Sequence, residues 1–419
     1  MTLLVAIALV AIILLGAPLF AAIGASAMLG FGREGTDLSI VPIEFYGIAE
    51  TSVLLAIPLF TFAGFLLSKG NAPRRLVRLS EAALGWLPGG LAIVSLAACA
   101  LFTAFTGASG VTIIALGAVL FPALVASGYS DKFSLGLITT SGSLGLLFAP
   151  SLPLILYGII AEVAIDDLFL AGIIPGTLMV VLLAVYSYWR NRGRTASKRR
   201  VSMAELKAAV VDARYELPLA PIVLGGIYSG FFAVSEAAAV TAVYVIGTEF
   251  LLRREISLRD LPEIVRESMI LVGAIFMILG LSLASTSYMI DIEVPQRLFE
   301  LVSRYVASEG GFLVGLLLFL LVVGAILDIF SAIVLVVPLI VPVAIEFGIH
   351  PVHLGIVFLA AMELGYMTPP VGLNLFISSY RFERDIAEVY SATLPFLLVL
   401  LVCVLLIAFL PQLSLFLLS

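Results

Sequence analysis

One stretch near the end of the chain combines residue types that can hold small ions inside a membrane. From Leu354 an apolar run is long enough to cross a bilayer, yet Gly365, Pro369, Pro370 and Gly372 interrupt it. Each proline removes a backbone donor and disfavours helix at the preceding residue. Non-helical backbone survives at membrane depth where protein or a water-filled cavity satisfies it. The pattern therefore predicts a broken helix at a binding site.

The break offers ligands for a cation and for an anion. The freed carbonyls around Thr368 and the side-chain amide of Asn374 are oxygen donors that suit a hard monovalent cation. The half-helix beyond the break presents its partial positive end to an anion. The alternative is a proline kink that only shapes helix packing.

The same break occurs earlier in the chain, so the sequence indicates two copies of one unit. A shift of 220 positions aligns GLLFAPSLPLILYG with the later break, without a gap. With slightly larger shifts, residues 71–79 (NAPRRLVRL) align with residues 293–301 (EVPQRLFEL). The first break is less polar, because Leu154 stands where the second copy has Asn374. The aligned pairs include Pro122 with Pro342, Gly128 with Gly348, Gly145 with Gly365, Pro150 with Pro370, and Pro175 with Pro395.

Composition places the whole chain in the membrane. The 419 residues are 62% hydrophobic and 12% charged, with a mean hydropathy of +1.20. These values predict an all-α polytopic membrane protein whose partner is the lipid bilayer. The basic residues lie in short loops between apolar runs, which gives no indication of a nucleic-acid partner. Cys99 and Cys403 lie in apolar runs, so we interpret them as core residues.

Charge predicts the orientation of the two copies. Residues 89–127 are too long and too uncharged for one span and must fold back at the small-residue run 105–112, either as a re-entrant hairpin or as two thin spans. Basic loops precede the first hairpin and acidic residues dominate before the second, so the positive-inside rule predicts an inverted-topology repeat. We also expect the first span or spans within residues 2–32, an acidic loop over 33–50, a basic loop over 190–200 and a short interfacial helix in the polar linker 255–267. The predicted parts are N-terminal scaffold helices 1–50; repeat 1, 51–189, with hairpin 89–127 and broken helix 133–161; a loop, scaffold pair and linker, 190–267; and repeat 2, 268–419, with hairpin 310–348 and broken helix 352–380.

Several other residues could carry chemistry, and each has a structural alternative. The tip Gly107–Gly110 supplies Ser109 and close backbone approach, or a small-residue packing patch. Asp328 and Glu363 are intramembrane acids and hence candidates for function, but Asp328 could instead cap the second hairpin near water. Glu236 is better explained as a helix cap than as a ligand.

Motifs typical of enzymes are missing from the sequence. His350 and His353 have the spacing of a metal pair, but no cysteine or carboxylate close in sequence completes a site. No zinc-protease motif, phosphate loop or nucleotide fingerprint is present. We therefore expect no enzyme activity and no cofactor.

Four segments resemble one known family. GGIYSGFFAVSEAAAV, FTGASGVTIIALGAVLFPAL, GLLFAPSLPLILYG and especially GYMTPPVGLNLFI are similar to the large membrane subunit of tripartite ATP-independent periplasmic (TRAP) transporters, in the ion transporter superfamily. The resemblance covers nearly the whole chain. It implies an elevator-type, sodium-driven importer of an organic anion, a carboxylate or sulfonate, in the bacterial cytoplasmic (inner) membrane. It also implies two partners, a small four-helix membrane subunit and a periplasmic substrate-binding protein.

In that family the two hairpin tips and the two helix breaks enclose sodium and substrate. Together with the neighbouring hydroxyls of the same segments, this gives the candidate ion and substrate ligands Gly107, Ser109, Gly110, Thr112, Gly145, Pro150, Ser151, Asp328, Ser331, Gly365, Thr368, Pro369, Pro370, Gly372 and Asn374. Two other functions stay open from the sequence. One is a stand-alone sodium/anion symporter without a binding protein, and the other is a non-transporting membrane scaffold or enzyme.

Overall fold

A computed structural model describes residues 9, 11–12, 15–84, 89–192, 202–306 and 308–418. The secondary structure of these residues is helical, without strands, which confirms the predicted all-α class. Seven described helices are long and apolar enough to cross a membrane, or eight if the bent pair Ser109–Ala115 and Gly117–Ala126, which meet at 49°, is one span. The first predicted span, residues 2–32, and the basic loop 190–200 lie partly outside the described residues.

The helices before and between the two hairpin units form one group. They are α1 Leu19–Glu34, α2 Ile40–Gly47, α3 Ala56–Lys69, α4 Ala72–Leu84, α11 Met203–Asp212, α12 Leu219–Tyr228, α13 Val234–Ile246, α14 Leu261–Asp291 and α15 Val294–Ser303. Helix α14 packs on α1, α2 and α3, and α3 also packs on α13. A π-helical turn, Gly247–Leu252, extends α13.

The other group contains the hairpins and the broken helices. Its first half is α5 Gly90–Thr106, α6 Ser109–Ala115, α7 Gly117–Ala126, α8 Asp131–Ser141, α9 Leu152–Ile160 and α10 Ile165–Asn191. Its second half is α16 Glu309–Ile326, α17 Ile329–Glu346, α18 Pro351–Gly365, α19 Leu373–Phe382, α20 Ile386–Phe409 and the short α21 Gln412–Leu415. Both broken helices lose helical geometry around their prolines, between α8 and α9 and between α18 and α19.

Helices of each half pack on helices of the other half. Helix α8 packs on α20 of the other half, and its counterpart α18 packs on α10. In the same way, α9 packs on α17 and α19 packs on α6. Each half therefore completes the packing of the other, as expected for a duplicated unit folded about a common centre. The opposite orientation of the halves in the membrane stays a prediction.

Two local expectations were wrong. The linker 255–267 does not form a separate short helix, because α14 begins at Leu261 and continues to Asp291 as one 31-residue helix. Pro262 lies in its first turn, where the missing N–H costs nothing. The acidic stretch 33–50, which we expected to be a loop, contains α2 and a 3₁₀ turn at Ile48–Glu50.

Two amphipathic helices lead into the hairpins. Helix α4 precedes the first hairpin and packs on α5 and α11, whereas its counterpart α15 precedes the second hairpin and packs on α17. Both begin with a proline-containing turn, at Pro73 and Pro295, in the aligned segments. The repeat seen in the sequence thus extends to the helices that connect the two groups.

Candidate ion and substrate site

The first hairpin tip is held closed by a pair of hydroxyls. Gly107 turns the chain with a φ of +65°, and Ser109 starts α6. Across the hairpin, the Thr103 and Thr112 hydroxyl oxygens lie 2.7 Å apart. The Thr103 hydroxyl also donates toward the carbonyl oxygen of Gly142, at 2.8 Å, where the first helix break begins. The tip and the break are therefore one connected structure.

Glycine residues allow the first hairpin and the first helix break to approach each other closely. A Cβ on Gly145 would lie 2.3 Å from the carbonyl oxygen of Ala100, and a Cβ on Gly142 would lie 3.3 Å from that of Ser109. Across the tip, a Cβ on Gly107 would meet the Leu152 side chain at 2.7 Å, directly after the break. A larger residue at Gly107 or Gly145 would separate the hairpin from the break.

The first hairpin tip and the first break together form what we call the first centre, and helix α19 of the second copy also packs there. A Cβ on Gly110 would lie 2.8 Å from the Ile377 side chain. The Asn374 amide nitrogen donates to the Thr139 carbonyl at 3.4 Å, and the Thr139 hydroxyl donates to the Ser378 hydroxyl at 2.9 Å. The candidate ligand Asn374, predicted from the second break, thus lies against the first.

The second hairpin tip lies against the second break. A Cβ on Gly365 would lie 2.7 Å from the Cα of Gly324. The Gly372 amide donates to the carbonyl of Ala325 at 2.9 Å, and the Tyr366 hydroxyl accepts the amide proton of Ile329. The pair Gly365 and Gly324 corresponds to Gly145 and Ala104 of the first copy, where the same approach occurs. The structure therefore brings each hairpin tip to the break of its own copy.

Asp328 caps a helix. Its carboxylate accepts the amide protons of Phe330 and Ser331, both at 3.0 Å, and a short hydrogen bond from the Ser331 hydroxyl. The residue is exposed, whereas Ser331 is buried. This arrangement corresponds to the capping alternative, and an additional role in ion binding stays a prediction.

The outer part of the second break is exposed. Pro369 and Pro370 are exposed, and Thr368 is half-buried, with its hydroxyl donating to Leu364 at 2.9 Å. The exposed Pro370 carbonyl accepts a hydrogen bond from Tyr390 of α20. Pro150, at the corresponding place in the first break, is buried. The two breaks therefore differ in their access to solvent.

Buried oxygen atoms without a partner mark the first centre. Among the described residues, the Thr106 and Thr140 hydroxyls, the Ser151 hydroxyl and the side-chain oxygen of Asn374 are buried and accept or donate no hydrogen bond. They belong to the first hairpin tip, the two sides of the first break and the start of α19. A buried polar atom without a partner is a place where a water or an ion can bind, and Ser134, Ser187 and Glu363 also have such atoms. The neutral oxygen chemistry of the first centre fits Na⁺, which is held by carbonyl and side-chain oxygens in broken-helix sites.

Sequence reasoning missed four threonines of this centre: Thr103, Thr106, Thr139 and Thr140. Thr103 lies in an apolar run and gives no signal of its own, whereas Thr106 belongs to the small-residue run 105–112 that predicted the fold-back. The other two open the polar run TTSGS, residues 139–143, between apolar segments. That run is the sequence signal that could have identified them.

The remaining candidates have ordinary explanations. Glu236 accepts the amide proton of Ala233 at 2.9 Å and caps α13 as predicted. His353 is buried between the Ser414 hydroxyl, at 2.7 Å, and the Ala408 carbonyl, at 3.2 Å. In the described part of the chain, no group of three or more His, Cys, Asp or Glu residues could hold a metal ion. Glu363 is buried, and neither carboxyl oxygen has a described hydrogen-bond partner.

Comparison with known proteins gives the family. The family model "Tripartite ATP-independent periplasmic transporter, DctM component" matches residues 3–413. The chain belongs to this TRAP family of large permease subunits. The family is one of transporters, which agrees with the expectation that the chain is not an enzyme.

Relatives in this family share about a third of their residues with the chain. The C4-dicarboxylate TRAP transporter large permease protein of Pseudomonas aeruginosa is 34% identical over 94% of this chain and 92% of its own length. The ectoine TRAP transporter large permease protein of Halomonas elongata is 31% identical over 100% and 99%. The isethionate TRAP transporter permease protein DctMQ of Oleidesulfovibrio alaskensis is 31% identical over 96% of this chain and 64% of that protein.

A solved structure supports the fold. The Alcanivorax borkumensis YdaH transporter superposes with a TM-score of 0.59, covering 88% of this chain and 86% of that chain, at 16% sequence identity. At this identity the similarity concerns the fold alone. The chain is thus a multi-pass TRAP large permease subunit with a transporter-like helical fold.

Proposed function

We propose that this TRAP permease couples the entry of Na⁺ to the import of a small organic anion, a carboxylate or sulfonate, across the bacterial cytoplasmic membrane. The observation that carries the proposal is the set of unpartnered, buried neutral oxygens at the first hairpin tip and break. These oxygens can replace part of the hydration shell of Na⁺ without a compensating acid. The names of relatives that carry C4-dicarboxylates and isethionate support an acidic substrate.

Sodium entry supplies the driving force. Moving one net positive charge inward releases about 2.3 kcal/mol per 100 mV of membrane potential. An excess of sodium charge over anion charge in each cycle would therefore add the membrane potential to the Na⁺ gradient as a driving force for uptake. In proteoliposomes with the partner subunits and loaded binding protein, an inward Na⁺ gradient should drive accumulation. Equal uptake in potassium-only buffer would contradict sodium coupling.

The proposed partners are a small four-helix membrane subunit and a periplasmic binding protein that delivers the substrate. Omitting the binding protein separates this proposal from the stand-alone symporter. Uptake should then fall to background, whereas a stand-alone symporter would continue to transport free substrate.

The proposed movement is an elevator, in which the hairpins and broken helices slide against the remaining helices. Support comes from an asymmetry between the copies. Gly64 of α3 approaches the first hairpin tip, and its Cβ would lie 2.8 Å from the Phe105 carbonyl. In the second copy, Thr286 of α14 borders a cavity of about 550 Å³ instead of a hairpin tip. Helix α14 contacts the second hairpin further along α17, where Ser282 donates to the Val334 carbonyl at 2.9 Å.

A cysteine pair tests this movement. The double variant Ser282→Cys, Val334→Cys should stop uptake when its thiols are joined by a reducible bifunctional reagent across the cavity that both residues border, and reduction should restore it. The native thiols Cys99 and Cys403 are buried and provide little background reaction. Full transport by the cross-linked protein would rule out sliding at this interface.

A further inference from the structure

An apolar groove lies between the amphipathic helix α15 and the second hairpin. It encloses about 510 Å³ and is lined by α15, α16 and α17. Leu298, Leu301 and Val302 form the α15 side, and Phe312, Phe319 and Leu339 lie among the residues opposite. Apart from the hydroxyl of Tyr305, the lining side chains carry no polar atom. An aqueous solute would find no hydrogen-bond partner along most of this groove.

Two arginines follow one edge of the groove. Arg297 and Arg304 are seven residues apart, or about two helical turns, so they lie on the same face of α15. Leu301 of the groove lies between them in sequence, about 40° around the helix from Arg297 and about 60° from Arg304. The edge of the groove therefore carries two exposed arginines that form no ion pair with a described residue, although the exposed acids Glu293 and Glu300 lie in the same segment.

The first copy shows what the same arginine does when protein supplies its anion. Arg75, aligned with Arg297, is buried and pairs with Glu216 at 2.6 Å, with Glu255, and more weakly with Glu249 at 3.6 Å. On that side Leu76 and Val77 are buried as well. The second copy keeps the arginine but lacks both the carboxylates and the closed packing. An anion and an apolar chain from outside the protein would fill both positions.

We propose that this groove binds one phospholipid, with an acyl chain in the groove and the phosphate at Arg297 and Arg304. Amphipathic helices with basic residues beside an apolar face lie at the boundary between headgroups and acyl chains. An aromatic rim such as Tyr305, which is 84% exposed, is typical of that depth. The lipid would fill the space between the connecting helix α15 and the second hairpin.

The acyl-chain part is tested by filling the groove. Gly315 lines it, and a Cβ there would meet nothing within 4 Å, so a side chain can start at this position and Gly315→Leu directs bulk into the groove. Gly273 of α14 is equally open and lies outside the groove, which makes Gly273→Leu the matched control. The full chain is placed in nanodiscs that contain a phospholipid with a photoreactive acyl chain, and labelled peptides are mapped by mass spectrometry.

The expected result is strong labelling of α15 and α16 around the groove in the wild type. Gly315→Leu should reduce it to the level of the exposed surface of α14, and Gly273→Leu should leave it unchanged. Groove labelling no stronger than that of the α14 surface, or unchanged in Gly315→Leu, would overturn the proposal.

The phosphate part is tested separately. Arg297→Gln and Arg304→Gln alter exposed side chains and should preserve the fold. Each should lower retention of the photoreactive phospholipid about fivefold, the effect of one arginine near an anionic headgroup. Arg259→Gln, at another exposed arginine, is the control. Retention that stays at the wild-type level in both variants would overturn the assignment of the phosphate.

Discussion

The close contact between the second hairpin and the second break gives a sharp prediction for Gly365→Ala. The added Cβ would lie 2.7 Å from the Cα of Gly324 and 2.9 Å from its carbonyl carbon. An ordinary contact of about 3.4 Å requires the two backbones to separate by about 0.7 Å. Overpacking of this kind costs about 1–3 kcal/mol. Because both neighbours are backbone atoms, a side-chain rotation cannot relieve it.

The separation should also break a hydrogen bond. Ala325 follows Gly324, and its carbonyl accepts from the Gly372 amide at 2.9 Å. An added 0.7 Å would take that distance beyond the usual range of about 2.7–3.2 Å, at a net cost of about 0.5–1.5 kcal/mol. If the tip and break bind Na⁺ together, a loss of this size raises the Na⁺ concentration for half-maximal uptake by about two- to tenfold.

The assay is the thermal unfolding of purified permease over a range of Na⁺ concentrations, followed by uptake. Gly273→Ala is the control, because its Cβ meets nothing within 4 Å and the change should stabilise the helix by about 0.5–1 kcal/mol. Wild-type unfolding and wild-type Na⁺ dependence in Gly365→Ala would refute the reasoning.

Two further predictions concern buried charge. Burial alone would raise the pKa of Glu255, but the amide of Asn71 and the guanidinium of Arg75 hold this pKa below its usual value. This group therefore stabilises the protein at neutral pH, and the contribution is lost as the pH falls below about 4.3. Arg75→Met should lower the free energy of unfolding at neutral pH by about 3–5 kcal/mol, and it should weaken the loss of stability in acid. Thermal unfolding over a range of pH measures both effects, and identical curves for the wild type and Arg75→Met would contradict the prediction. Glu363→Gln should keep both fold and uptake, because a buried carboxyl without a partner costs less free energy when it is neutral than when it is charged. Loss of uptake by a folded Glu363→Gln protein would show that the charge of Glu363 is needed.

The sequence could predict the helical class and the two breaks because both depend on local signals. Proline and glycine at Pro369–Gly372 break the helix whatever its surroundings in the fold. The same signal occurs 220 residues earlier, at Pro150. The close approach at Gly145 could be expected from the absence of a side chain, but its partner, Ala100, could not. Partners are set by the packing of helices far apart in sequence.

The composition of the first centre was less predictable. Asn374 lies against Thr139 of the other copy, and this exchange becomes visible in the packing of α19 on α6 and α8. As a ligand, Thr106 is inconspicuous in the sequence because hydroxyls are common in helices, where they bond to their own backbone. Its importance lies in the absence of such a bond in the structure. The continuity of α14 through Leu261 was also missed, because the polar first turns resemble a separate interfacial helix.

Equilibrium binding of radioactive Na⁺ to the purified permease tests the central claim most directly. Thr106→Val and Thr140→Val each remove one unpartnered oxygen, and Asn374→Leu removes another together with the amide that donates to Thr139. Thr241→Val removes a buried hydroxyl that bonds to its own helix at 2.7 Å. We predict saturable binding in the wild type and in Thr241→Val, and at least about tenfold weaker binding in the other three, from the loss of about 1.4 kcal/mol. Wild-type affinity in all three would contradict a sodium site at the first hairpin tip and break.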